Sequence, residues 1–158
     1  MGVLYYTSVF FHLLFATLWI GGMLFLPLVL LPAIKKHPDK IKLILATGLK
    51  FRTLGWVVLI GLAITGTANL YLRGFSLTME FFTDTEYGQI LTYKLILFSL
   101  ILLISGIHDF MIGAKAIEEM EKGMSRLKHV ARWSGRINLL LALAVAFFGL
   151  VLARGGVW

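Results

Sequence analysis

The sequence predicts an all-α fold, a four-transmembrane-helix bundle with both termini on the outer (periplasmic) side. Of its 158 residues, 59% are hydrophobic and 15% charged, the composition of a small integral membrane protein with no room for a second soluble domain. Four apolar stretches, at about residues 5–31, 49–72, 88–113 and 133–153, each reach the ~20 residues that a helix rising about 1.5 Å per residue needs to cross the hydrocarbon core. A soluble bundle would show polar outward faces, whereas these stretches are apolar nearly all round.

The basic residues supply the orientation. Lys35, Lys36, Lys40 and Lys42 lie between the first and second stretches, with Lys50 and Arg52 at the start of the second, and Lys115, Lys122, Arg126, Lys128, Arg132 and Arg136 lie around the last connection. The middle connection instead sets Arg73 against Glu80, Asp84 and Glu86. The positive-inside rule makes the basic loops cytoplasmic and places residues 1–158 as a single multi-pass domain in the cell inner membrane. Tyr5, Tyr6, Tyr71, Tyr87 and Trp158 then fall at outer span ends, as an aromatic belt requires. The net charge of +7 is accounted for by this sorting and by anionic lipid, without nucleic acid as a partner. The absence of cysteine excludes disulfides, thiolate metal sites, covalent haem attachment and a Cys nucleophile.

In the first span, Met1 to Ile34 contains no Lys, Arg, Asp or Glu and no small-residue cleavage site, which predicts a retained helix. His12, Trp19, Met23 and Leu26 share one face of it. Gly21 and Gly22 either admit a neighbouring helix or make room for a flat cofactor. Pro27 predicts a kink that frees a backbone carbonyl. Pro38-Asp39 is suited to cap a short interfacial helix over Lys40 to Ala46.

The second span aligns Gly55, Leu59, Leu62, Gly66 and Asn69, with Arg73 one turn beyond; the fourth aligns Ala142, Ala146, Gly149 and Ala153. Both patterns predict close helix packing. In the last loop Gly123 is a break, and Glu118, Glu119 and Glu121 balance part of the basic charge. The chain carries no Walker, dinucleotide or His-Glu-x-x-His motif.

Helix rise converts position into depth and divides the polar residues into two layers. His12 and Lys94 both lie about 10 Å from the outer edge, with Asn69, Arg73 and Tyr93 at a similar or shallower level. No acidic residue lies in a span at that depth, so Lys94 either snorkels outward or meets an anionic partner. His12 either donates to a neighbouring oxygen or ligates a metal. The inner layer comprises His108, Asp109, Met111, His129, Arg132, Arg136 and Asn138. Lying about 30 Å below the outer edge, His108 cannot share one metal with His12 in the same subunit. His108 and His129 either bind haem or another metal together, or belong to a network in which Asp109 pairs with Arg132 or Arg136. His37 reads as solvated, and His108 with Met111 as a weak Cu(I) signal.

The segment HLLFATLWIGGMLFLP, from His12 to Pro27, resembles the membrane family that includes the copper-resistance D domain and the HemJ-type protoporphyrinogen oxidase. His12, Trp19, Gly22 and Pro27 fill the histidine, tryptophan, glycine and proline places of the HemJ pattern. Leu28 replaces the arginine expected after the proline, and the histidine expected beyond it is missing. FRTLGWVVLIGLAITGTANLYLRG, with Thr65, Gly66 and Asn69, is closer to the copper-resistance D pattern. YGQILTYKLILFSLILL also resembles that pattern, and Lys94 matches a lysine of both branches. Ile107-His108 is the nearest equivalent of a HemJ tyrosine-histidine pair.

The resemblance implies b-type haem and protoporphyrinogen oxidation on one branch, and copper passage or uptake on the other. The expectation placed first is a b-type haem membrane protein in electron transfer, with a lipid-soluble redox partner or porphyrin. His12 would be the axial ligand, Trp19 and Gly22 would shape the pocket, and Asn69, Arg73 and Lys94 would lie on the cofactor. The alternatives are copper transport using His12, Met23, His108 and Met111, or a structural membrane subunit. A homodimer would complete a haem site at a shared seam. Whether the chain is an enzyme stays open.

Overall fold

The computed structural model describes residues 2–75, 78–112 and 126–155. Lys115, the acidic Glu118, Glu119 and Glu121, Lys122, Gly123 and Trp158 lie outside the described residues, as do the side chains of Met111, Arg126 and Lys128.

Four long helices carry the fold. Helix α1 runs Gly2–Ala33, α2 Lys40–Leu72, α4 Glu86–Ile107 and α5 Arg126–Ala153; a short α3, Met79–Asp84, lies in the connection between α2 and α4. All four long helices have a stretch long and apolar enough to cross a membrane. Only 11, 17, 22 and 17% of those apolar windows, in chain order, is buried inside the bundle. Outward-facing Leu4, Phe10, Leu13, Ile64, Leu140 and Phe147 are left exposed, a surface that water would penalise and lipid accepts. The fold is therefore all-α, with four apolar helices of a multi-span membrane bundle.

Local chemistry explains the helix limits. Thr78 and Thr85 accept hydrogen bonds from the Phe81 and Gly88 N–H groups, capping α3 and α4, and Glu80 and Glu86 occupy the first turns. Gly74, at φ 75°, follows α2 in a conformation that side chains disfavour. At Pro27, which has no N–H to donate, α1 passes through a π turn over Leu26–Leu30, and the Leu31 N–H reaches back to the Leu26 carbonyl. The predicted proline disruption thus takes the form of a π turn within a helix that continues to Ala33. A second π turn, His108–Ile112, extends α4.

One expectation is corrected. The segment Lys40 to Ala46 is not a separate interfacial helix but the first turns of α2. Ile41, Leu43, Ile44 and Leu45 are helix-compatible, no proline intervenes, and a lone Gly48 is tolerated within a helix of 33 residues.

Helix α1 packs along α2, α4 along α5, and α1 also meets α5. The midsection core joins Trp19, Val58, Leu59, Ile101 and Ala142, one or two residues from each helix. A second cluster, Ile90, Leu91 and Leu152, lies nearer the termini with Phe81 and Leu70 against it. Buried Asn138 donates to Ser105 Oγ at 2.8 Å, a polar link between α4 and α5 inside the apolar bundle.

Candidate functional site

The α2 face of small residues meets α1, as its spacing predicts. Trp19 lies against Gly55, where an added Cβ would come within 2.9 Å of the indole, and His12 lies against Gly66 at 3.3 Å by the same measure. Each glycine leaves the space that the facing ring fills. The seam on α5 is only partly inward: Ala142 is buried and Gly149 faces Lys94, while Ala146 and Ala153 are exposed.

The hydrogen bonding at His12 fixes its chemistry. The Thr65 hydroxyl donates to the Gly61 carbonyl at 2.6 Å, the usual back-bond of a helical threonine. Its one proton is thereby used, so the 2.8 Å bond between Thr65 Oγ1 and His12 Nδ1 requires the imidazole to donate. His12 is then the tautomer with a proton on Nδ1 and a lone pair on Nε2, the arrangement by which a neighbour orients a histidine for metal ligation. Ser8 strengthens this corner by donating to the Thr65 carbonyl at 3.3 Å.

Lys94 reaches from α4 towards α5, its ammonium 3.3 Å from where a Gly149 Cβ would sit. It is close enough to His12 for the two to interact electrostatically. Among the described residues the Lys94 ammonium has no hydrogen bond or ion pair. Asn69, one turn beyond Thr65 on the same α2 face, has a buried Oδ1 without a hydrogen-bond partner among the described residues. His12, Asn69 and Lys94 thus form a polar layer near the end of the bundle that holds α3.

Other candidates have separate partners. Arg73 donates to the Tyr87 hydroxyl at 2.8 Å and lies over the Tyr5 and Tyr87 rings, linking α2 to α4 beyond the His12 layer. Its partial burial opposes the charge, but the Tyr87 and Tyr5 oxygens outweigh that, so the guanidinium is held above its ordinary value. Trp19 stacks on Phe51 at 6.1 Å, and the Phe51 ring occupies the space that Gly22 leaves. The buried Trp19 Nε1 has no hydrogen-bond partner among the described residues.

At the opposite end, Asp109 accepts from Trp56 Nε1 at 3.1 Å and from His108 Nδ1 at 2.9 Å, while Arg52 donates to its backbone carbonyl at 3.4 Å. This differs from the expected Asp109 pairing with Arg132 or Arg136. Arg136 lies over the Trp133 ring instead, and α2, through Trp56 and Arg52, joins His108 in partnering Asp109. Trp56, in an apolar span, gave no pattern that marked it as polar; only the meeting of α2 with the π turn reveals its N–H as the clamp. His129 lies beside Trp133 on a groove with Ile104 and Ile107. Thr65 and Trp56, which hold the two histidine layers on α2, are nine residues or about 14 Å apart. Among the described residues, no three His, Cys, Asp or Glu side chains come together as a metal cage.

The family pattern described as copper resistance protein D matches residues 45–152, which include Thr65, Asn69, Lys94 and Asp109. The chain belongs to this family. A protein of Aquifex aeolicus (strain VF5), described as uncharacterized, is 31% identical over 148 residues, covering 92% of this chain and 93% of the relative. No solved structure matches.

Proposed function

We propose that this copper-resistance D family protein handles copper at the His12 layer, with copper as cargo rather than as a resident cofactor. The observation that carries the reading is the oriented His12 imidazole, whose Nε2 lone pair is left for a ligand by the Thr65 bond. Imidazole nitrogen is a suitable copper donor, and family membership supports the choice of metal. In the same proposal residues 1–158 form one inner-membrane domain with its basic loops cytoplasmic, so His12 lies towards the outer face. Copper uptake into proteoliposomes tests it: uptake by the native protein that His12→Ala abolishes supports the reading, and equal uptake by both removes it.

A second reading, haem b with an electron-transfer role, is favoured by Lys94, which has no hydrogen bond or ion pair among the described residues. An ammonium among apolar helices calls for an anion, and a propionate would supply one. His12 and Lys94 fit such a group, whereas Gly22 and Arg73 already face Phe51 and Tyr87. Haem would supply one-electron chemistry, and the protein would supply an axial nitrogen and charge neutralisation. A Soret band in the purified protein that His12→Ala removes would place this reading ahead of copper.

A further inference from the structure

Among the described residues nothing beyond the neighbouring backbone of α1 comes within 4 Å of where a Gly21 Cβ would be, so α1 is notched at this point on its outer surface. The notch opens into a groove of about 430 Å³ between α1 and α2, with Gly21, Leu18 and Phe25 on one wall and Phe51 and Leu54 on the other. Its walls are mainly apolar, and the Thr17 hydroxyl on its lining is spent on the Leu13 carbonyl at 2.9 Å. The polar groups on its α2 side are Thr47 and Lys50, one turn apart on a single helix face. Neither has a hydrogen bond or ion pair among the described residues. From Lys50 to Leu54 the groove runs about 6 Å along α2, the headgroup-side part of the ~15 Å hydrocarbon depth of one leaflet.

We propose that this groove binds an anionic phospholipid, one acyl chain lying along the Gly21 notch and the phosphate meeting Lys50 and Thr47. Charge complementarity selects the occupant. Lys50 lies with Lys35, Lys36, Lys40, Lys42 and Arg52 in a segment whose one acid, Asp39, is already paired with Lys42 at 3.4 Å. A zwitterionic headgroup would gain little from such a field, whereas a phosphate with net negative charge gains directly. The apolar wall asks for a chain rather than a free anion. The site is remote from the His12 layer and does not depend on the proposed copper or haem chemistry.

The full-length protein in detergent, titrated with phosphatidylglycerol or phosphatidylcholine and followed by native mass spectrometry, tests this. The expected result is one phosphatidylglycerol retained in preference to phosphatidylcholine. Lys50→Gln should weaken phosphatidylglycerol binding about fivefold, the weight of one basic residue at an anionic surface, and leave phosphatidylcholine unchanged. Gly21→Leu fills the notch without meeting a neighbour at Cβ and should remove the retained lipid, with helicity and melting temperature unchanged. Equal retention of the two lipids, or native retention in both variants, overturns the proposal. A dimer that Gly21→Leu dissociates overturns it as well, because the occupant would then be a second copy. Should Gly21→Leu misfold, the result for exposed Lys50→Gln decides.

Discussion

Thr65 and His12 are joined at 2.8 Å across the α1–α2 contact, and the threonine proton is committed to the Gly61 carbonyl at 2.6 Å. One hydroxyl thereby sets both the orientation and the tautomer of the imidazole. The link belongs to packing as much as to chemistry, since Gly66 is what lets the ring lie against α2.

Thr65→Val keeps the shape of the side chain but removes the acceptor. Stability should fall by about 1 kcal/mol, the net value of a hydrogen bond, whereas copper affinity should fall about 10- to 100-fold as the imidazole loses its orienting partner. Thermal unfolding and a copper titration on the same preparation separate the two effects. A loss of stability with unchanged affinity would make Thr65 a packing residue only.

Lys94→Met should raise stability rather than lower it. The ammonium has no hydrogen bond or ion pair among the described residues to lose, and removing a charge from a membrane helix relieves a cost that reaches about 2.5–3.5 kcal/mol at the membrane centre on insertion scales and is smaller at the depth of Lys94. The melting temperature in detergent checks this. A marked fall would mean that the lysine has a structural partner.

Two glycines of α2 should respond in opposite ways. At Gly55 a side chain meets the Trp19 ring, with Cβ itself at 2.9 Å, so Gly55→Leu should cost about 1–3 kcal/mol by overpacking. At Gly48 nothing among the described residues beyond the helix's own backbone lies within 4 Å of an added Cβ, so Gly48→Ala should be neutral or stabilise by up to about 1 kcal/mol through helix propensity. Denaturation of the two variants side by side checks the contrast, and equal effects would contradict the packing described for Gly55.

The orientation proposed from the basic loops is testable because the chain has no cysteine. Lys36→Cys and Glu80→Cys each introduce one thiol. An impermeant maleimide applied to intact spheroplasts should label only Glu80→Cys, and both should be labelled once the membrane is opened. Labelling of Lys36→Cys alone in the intact state reverses the topology.

The sequence by itself determined the four apolar helices, the α2 face from Gly55 to Asn69 and the grouping of His12 with Lys94 apart from His108. Those properties follow from hydropathy and helix rise, which are local and need no knowledge of neighbours. Only the tertiary structure decided the partners. It gave Arg73 to Tyr87, Asp109 to Trp56 and His108, the Gly22 space to Phe51 and the His12 proton to Thr65. The physical reason is rotation: helices that are apolar all round carry little signal for which face turns inward, so pairing is settled by how rings and glycines interlock when the helices meet.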